Sequence, residues 1–201
     1  MARRNRTGSR NRARPSEIGA SVERRSFLKT ASVLGVGVSV GPALAQPASD
    51  RPREGDVLVA IEGDSQVPLE PKDVPRDAVP LMAWPMDPAA QVVRNGSRLN
   101  KVLLVRLDPA TLVGPTRERA AEGVVAYSAI CPHAGCEVSV WAAEQKTLEC
   151  SCHYSHYDPR DGAAVIDGPT PRSLAALALK LADGKLVVAK PFTGRVGIMP
   201  T

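Results

Sequence analysis

From Asp56 onwards, apolar residues fall in short runs separated by turn residues. Asp56 to Ile61, Val102 to Leu107 and Val124 to Ser128 are rich in Val, Leu and Ile, the composition of β-strands. Leu148 to Cys150 and Ala163 to Ile166 are shorter runs of the same kind. Leu177 to Leu181 and Lys185 to Ala189 flank Ala182-Asp183-Gly184, and Asp-Gly between two apolar runs predicts a β-hairpin. No segment beyond residue 50 sustains a long helical period, and Thr116 to Glu122 is expected as a loop or a single helical turn. The 68–100 stretch carries Pro68, Pro71, Pro75, Pro80, Pro85 and Pro88, which predicts loops around one short strand near Leu81 to Trp84. These elements sum to an all-β fold, a small antiparallel sandwich or barrel.

Length and composition fit that picture. The chain has 201 residues, enough for one compact domain and a leader. Its 18 prolines favour turns and short strands over long helices. Trp84, Trp141 and Tyr127 are expected to pack in this domain rather than to react.

Charge separates the leader from the rest. The first 29 residues hold nine basic and two acidic residues, a charge of +7, so the remaining chain carries −2 of the total +5. The domain is therefore mildly acidic, and the basic pI makes no case for nucleic-acid binding. The Arg-rich arm is followed by Glu23-Arg24-Arg25-Ser26-Phe27-Leu28-Lys29 and an uncharged run from Thr30 to Ala45. That order is similar to a twin-arginine export signal, which carries folded proteins out of the cytoplasm. The run has 16 residues, with Gly35, Gly37, Gly41 and Pro42 inside it, whereas a membrane span needs about 20 apolar residues. Ala43-Leu44-Ala45 fits a cleavage site; the alternative is a retained anchor. The expected organisation is a basic arm and signal over 1–45, a linker over 46–55 and one domain over 56–201.

All four cysteines lie between positions 131 and 152, and His133, His153 and His156 share that window. Such clustering marks a site rather than a scattered disulfide framework. Cys131-Pro132-His133-Ala134-Gly135-Cys136 and Cys150-Ser151-Cys152-His153-Tyr154-Ser155-His156-Tyr157-Asp158 each offer a Cys, a His and one further Cys. Two thiolates and two imidazoles suit either zinc or an iron–sulfur cluster. Zinc sites favour Cys-x-x-Cys pairs and would leave one cysteine of each segment idle.

The two segments resemble the Rieske iron–sulfur protein family, whose pattern is Cys-x-His-x-x-Cys followed by Cys-x-Cys-His. The resemblance covers residues 123 to 181. It implies one [2Fe–2S] cluster, with Cys131 and Cys150 on one iron and His133 and His153 on the other. It implies a disulfide between Cys136 and Cys152, tying the loops over 131–136 and 150–158 together; an exported protein meets an oxidising compartment that permits the bond. Ser155 and Tyr157 stand where high-potential members of the family donate hydroxyl hydrogen bonds to the cluster sulfurs, and such donors raise the reduction potential. Gly168-Pro169-Thr170-Pro171 matches the family's proline loop, which covers the cluster. His156 is left over as a surface residue, so a second, mononuclear iron site of the oxygenase kind lacks its histidines.

By resemblance, the chain is expected to pass single electrons and to lack a catalytic site of its own. Its donor and acceptor would be quinol, a cytochrome b or a cytochrome c, within a quinol–cytochrome c reductase-like complex at the periplasmic face of a membrane. Position 134 is Ala and position 154 is Tyr, where the cytochrome bc-complex subunit carries Leu and Gly. The aromatic at 154, the short leader and the twin-arginine pattern are similar instead to the small Rieske subunit of arsenite oxidase, whose partner is a molybdenum subunit. A free periplasmic electron carrier is the remaining alternative.

Overall fold

A computed structural model describes residues 48–63 and 66–198. The expected arm, export signal and cleavage site over 1–45 lie outside the described residues. Among the described residues, no helix is long and apolar enough to cross a membrane.

The described residues form eleven strands in chain order: β1 (Val57–Ala60), β2 (Leu81–Asp87), β3 (Val92–Val93), β4 (Val102–Arg106), β5 (Val124–Ser128), β6 (Val138–Ala142), β7 (Thr147–Cys150), β8 (Ser155–Asp158), β9 (Ala164–Asp167), β10 (Ala176–Ala182) and β11 (Lys185–Lys190). A short α-helix, α1 (Gly114–Arg119), starts two residues before the turn expected from sequence, with Pro115 in its first turn. The first sheet runs β1-β11-β10-β5-β4-β2-β3, and β1 also pairs with β2. That extra pairing, from Val57 opposite Met86 to Ala60 opposite Ala83, closes six antiparallel strands into a barrel. The second sheet runs β6-β7-β8-β9 in simple up-and-down order.

The continuous apolar runs of β4 and β5 follow from burial on both faces. Val102, Leu104, Val124 and Ala126 join Leu58, Leu177, Leu179, Leu186 and Val188 in one cluster, the barrel interior. The alternate residues Leu103, Val105, Val125 and Tyr127 face outward onto a second cluster with Val138, Leu148, Cys131, Cys150 and Tyr157. The second sheet thus packs on the outside of β4 and β5, and the two cysteine-bearing segments sit against that shared core. As expected, Tyr127 is packing: it is buried, and its hydroxyl donates to the Pro159 carbonyl at 2.7 Å.

The hairpin forms at the expected Asp-Gly, with φ of 50° at Asp183 and 74° at Gly184. The strand expected near Leu81 to Trp84 runs on through Pro85 to Asp87. Pro85 costs no ladder bond to β4, whose pairing with β2 ends at Ala83. Residues 48–51 lie against the domain. The Ala48 carbonyl accepts from Gly96 N at 3.0 Å, and the Asp50 carbonyl accepts from the Asn100 side chain at 2.7 Å.

Candidate metal centre

Two loops carry the site. The first leaves β5 and enters β6. It is a tight turn in which Gly135 N donates to the Cys131 carbonyl at 3.0 Å and Cys131 N to the Cys136 carbonyl at 2.8 Å. Gly135 adopts φ of 73°, a conformation that glycine reaches without strain. The second loop joins β7 to β8, with Tyr154 N donating to the Cys150 carbonyl at 2.8 Å. Tyr154 occupies the left-handed region at φ 54° with its ring largely exposed, where a side chain with a Cβ costs about 1–2 kcal/mol.

Cys136 and Cys152 form the expected disulfide, which bridges the two loops. Cys131 and Cys150 are free thiols, both buried. The sulfurs of Cys136, Cys150 and Cys152 lie within 4.8 Å of one another, yet two of the three are taken up by the disulfide and offer no thiolate. The donors left in the pocket are the Cys131 and Cys150 thiols and the imidazoles of His133 and His153. Those two rings meet edge to face, 4.6 Å between centroids. Nδ1 of His133 is buried without a hydrogen-bond partner among the described residues.

β8 sets the next group of side chains by its alternation. Ser155 and Tyr157 point to the buried face, and His156 points away from it. The Tyr157 hydroxyl lies 3.1 Å from Cys131 Sγ. Burial, and then the neighbouring Cys131, push the Tyr157 phenol well above its ordinary range, so it remains a protonated donor. Burial foremost also pushes the Cys150 thiol up. Ser155 Oγ is buried and has no partner among the described residues. His156, on the opposite face, sits 3.8 Å from Glu149, in keeping with the surface role expected for it.

Gly168, which opens the segment 168–171, lies directly over Ser155. A Cβ on Gly168, whose φ is 98°, would come within 2.5 Å of Ser155 Cα. Pro169 and Pro171 are exposed and Thr170 is buried between them.

Two buried thiols side by side, an imidazole nitrogen and a hydroxyl without partners, and a second imidazole in contact with the first make a donor set that suits a soft, positively charged group. The residues present fit an iron–sulfur centre. One contact at the site had no sequence signal. Arg98, on a turn 37 residues before Gly135, donates through Nη2 to the Gly135 carbonyl of the first loop.

Comparison with known proteins agrees with this geometry. The family model for the Rieske [2Fe-2S] domain matches residues 88–179. A Haloferax mediterranei protein named as the Rieske subunit of a respiratory nitrate reductase is 44% identical over 81 residues, 40% of this chain and 36% of that protein. The cytochrome bc1 complex Rieske iron-sulfur subunit of Streptomyces lividans is 31% identical over 147 residues, 72% of this chain and 85% of that one. Among solved structures, the ferredoxin of carbazole 1,9a-dioxygenase from Nocardioides aromaticivorans matches 67% of this chain and 98% of its own, at 20% identity and a TM-score of 0.41. The chain belongs to the Rieske [2Fe-2S] iron–sulfur protein family. Membership implies an iron–sulfur cluster as its cofactor.

Proposed function

We propose that this protein is a single-electron relay of the quinol-oxidising kind, with one [2Fe–2S] cluster held by Cys131 and Cys150 on one iron and by His133 and His153 on the other. The observation that carries the reading is the edge-to-face meeting of the two imidazoles 4.6 Å apart, beside two buried free thiols, on loops joined by a disulfide. When bound, such a group accepts and returns one electron at a potential raised by its two neutral imidazole ligands.

The chain's own residues set the conditions for that exchange. The disulfide and the shared core under β7 and β8 hold the ligands in place, which limits reorganisation when charge changes. His133 would bind through its buried, partnerless Nδ1, which leaves Nε2 as the ring nitrogen turned away from the metal. His153 is exposed at the same tip. With Cys131 as a metal-bound thiolate, the Tyr157 hydroxyl 3.1 Å away would donate to its Sγ, and the partnerless Ser155 hydroxyl is free to donate to a cluster sulfur; both favour the more negative, reduced state. Gly168 closes over Ser155, and Pro169 and Pro171, which follow it, would form the proline loop beside the cluster.

The Streptomyces lividans relative is a subunit of a cytochrome bc1 complex, which supports a place in a quinol–cytochrome reductase-like complex, with a cytochrome as partner. Export by the twin-arginine route to the periplasmic side accords with the disulfide. The relative named for nitrate reductase, 44% identical over 81 residues, favours a second reading, in which the same relay feeds another respiratory oxidoreductase.

The test is metal and sulfide analysis of the purified full chain, with electron paramagnetic resonance after reduction. The reading requires iron and acid-labile sulfide in equal amounts and a rhombic reduced signal. A colourless protein containing zinc would overturn it.

A further inference from the structure

The face beside the first cluster loop carries four arginines that no carboxylate pairs among the described residues. Arg53, Arg94 and Arg160 each sit on a carboxylate. Arg51, Arg98, Arg172 and Arg195 have no ion-pair partner among the described residues, and the side-chain hydrogen bonds of the first three go to backbone. Arg51 donates to the Leu99 carbonyl at 3.0 Å, Arg98 to the Gly135 carbonyl, and Arg172 to the carbonyls of Arg195 at 3.2 Å and Gly197 at 2.5 Å.

These bonds, with the groove that Arg51 and Arg195 share, place all four on one face. Leu99 packs with Ile130, Val196 and Phe192, which joins the 97–101 turn to the C-terminal segment. Arg51 and Arg195 line a common groove of about 210 Å³ whose floor includes Pro52 and Phe192. Arg172 follows the proline loop directly, and Ile198, exposed, lies beside Gly135. The face therefore borders both segments that surround the histidine tip. Residues 46–201 carry −2 in all, so a cluster of unpaired guanidiniums sets a local field opposite in sign to the domain's net charge. Such a separation of charge orients an approaching molecule by its local field, whatever the net charge.

We propose that this arginine face is the docking surface for a redox protein that presents carboxylates, which it seats beside the cluster for electron exchange. The inference rests on the electron-relay reading. A groove with guanidiniums on its rim and proline and phenylalanine on its floor has the make-up of a protein interface, in which Arg and aromatic residues are enriched. In the exchange, one electron leaves the reduced cluster and converts a ferric haem of the acceptor to ferrous; no atom is transferred.

The experiment mixes the reduced, cluster-loaded full chain with one of two soluble ferric c-type cytochromes, one of acidic and one of basic surface, and follows haem reduction by stopped flow. Between about 10 mM and about 300 mM salt, the rate with the acidic cytochrome falls at least about fivefold, and the rate with the basic one does not fall. Arg51→Gln with Arg195→Gln lowers the low-salt rate with the acidic cytochrome about fivefold at an unchanged visible spectrum. Lys72→Gln with Lys180→Gln, an equal change of net charge elsewhere, leaves it within about twofold. Arg195→Glu, whose parent side chain makes no hydrogen bond among the described residues, gives the same loss should the double variant fold poorly. Faster reduction of the basic cytochrome at low salt would overturn the proposal, as would equal effects of the two double variants. So would binding to phosphatidylglycerol vesicles that Arg195→Glu abolishes while the cytochrome rate stays unchanged. If neither cytochrome is reduced, the relay reading itself fails.

Discussion

The barrel interior is wholly aliphatic in its buried cluster, from Leu58 and Val74 to Leu186 and Val188. The layer of β6 to β9 is built otherwise. Its share of the core mixes Val138 and Leu148 with Cys131, Cys150 and Tyr157. It also holds four buried polar atoms without partners among the described residues: His133 Nδ1, Trp141 Nε1, Thr147 Oγ1 and Ser155 Oγ. Apolar burial dominates in the first region, whose buried polar groups gather around the Arg94–Asp56 ion pair at its edge. The second offsets its buried polar groups with a covalent link and, once the proposed cluster is bound, with iron. One chain thus separates a scaffold that needs no cofactor from a site whose packing is completed by one. Mutations should divide along the same line.

The largest effect is expected on the barrel side. Arg94 is buried and forms two bonds to the equally buried Asp56, at 2.6 and 2.8 Å. Arg94→Met leaves that carboxylate without its partner and should cost about 4 kcal/mol in chemical denaturation. The reduction potential of the surviving folded protein should not move. A shift would show that barrel and site are not separable.

Next comes the disulfide. It joins residues 16 apart, a loop for which chain entropy gives about 3 kcal/mol. Cys136→Ala with Cys152→Ala should bleach the cluster at a denaturant concentration well below that which unfolds the barrel, read by visible absorbance against far-ultraviolet circular dichroism. Coincident transitions would erase the distinction between the two regions.

Ser155→Ala should leave stability within about 1 kcal/mol, since the hydroxyl has no protein partner to lose, and lower the reduction potential by an amount on the order of tens of millivolts. An unchanged potential in voltammetry would remove the serine from the site's electrostatics. The smallest effect is at Tyr154. Its left-handed backbone is one that glycine adopts freely, so Tyr154→Gly should raise thermal stability by about 1 kcal/mol or less without altering the cluster spectrum.

The site was more legible in the sequence than the fold around it. Six residues at fixed spacings named the loops, and the disulfide of Cys136 with Cys152 formed as the family resemblance implied. The β4 and β5 runs and the Asp183-Gly184 hairpin were legible because their cues are local. Closure of the barrel through β1 and β2 was not, since the pairing of Val59 with Trp84 leaves no periodic trace. β6 also escaped notice: a bulge between Val138 and Val140 interrupts its pairing, and Val140 is exposed. The contacts from Arg94 to Asp56 and from Arg98 to Gly135 span 38 and 37 residues. Both arginines look like ordinary surface charges in a sequence, and only the folded backbone shows which one is buried and which braces the cluster loop.

Hyperfine spectroscopy of the reduced full chain tests the central claim most directly, by counting nitrogens coupled to the unpaired electron. Two strongly coupled histidine nitrogens are predicted, one of them lost in His133→Ala or His153→Ala wherever any cluster survives. A reduced cluster with no coupled nitrogen would contradict the account, because the paired imidazoles would then have no part in holding iron.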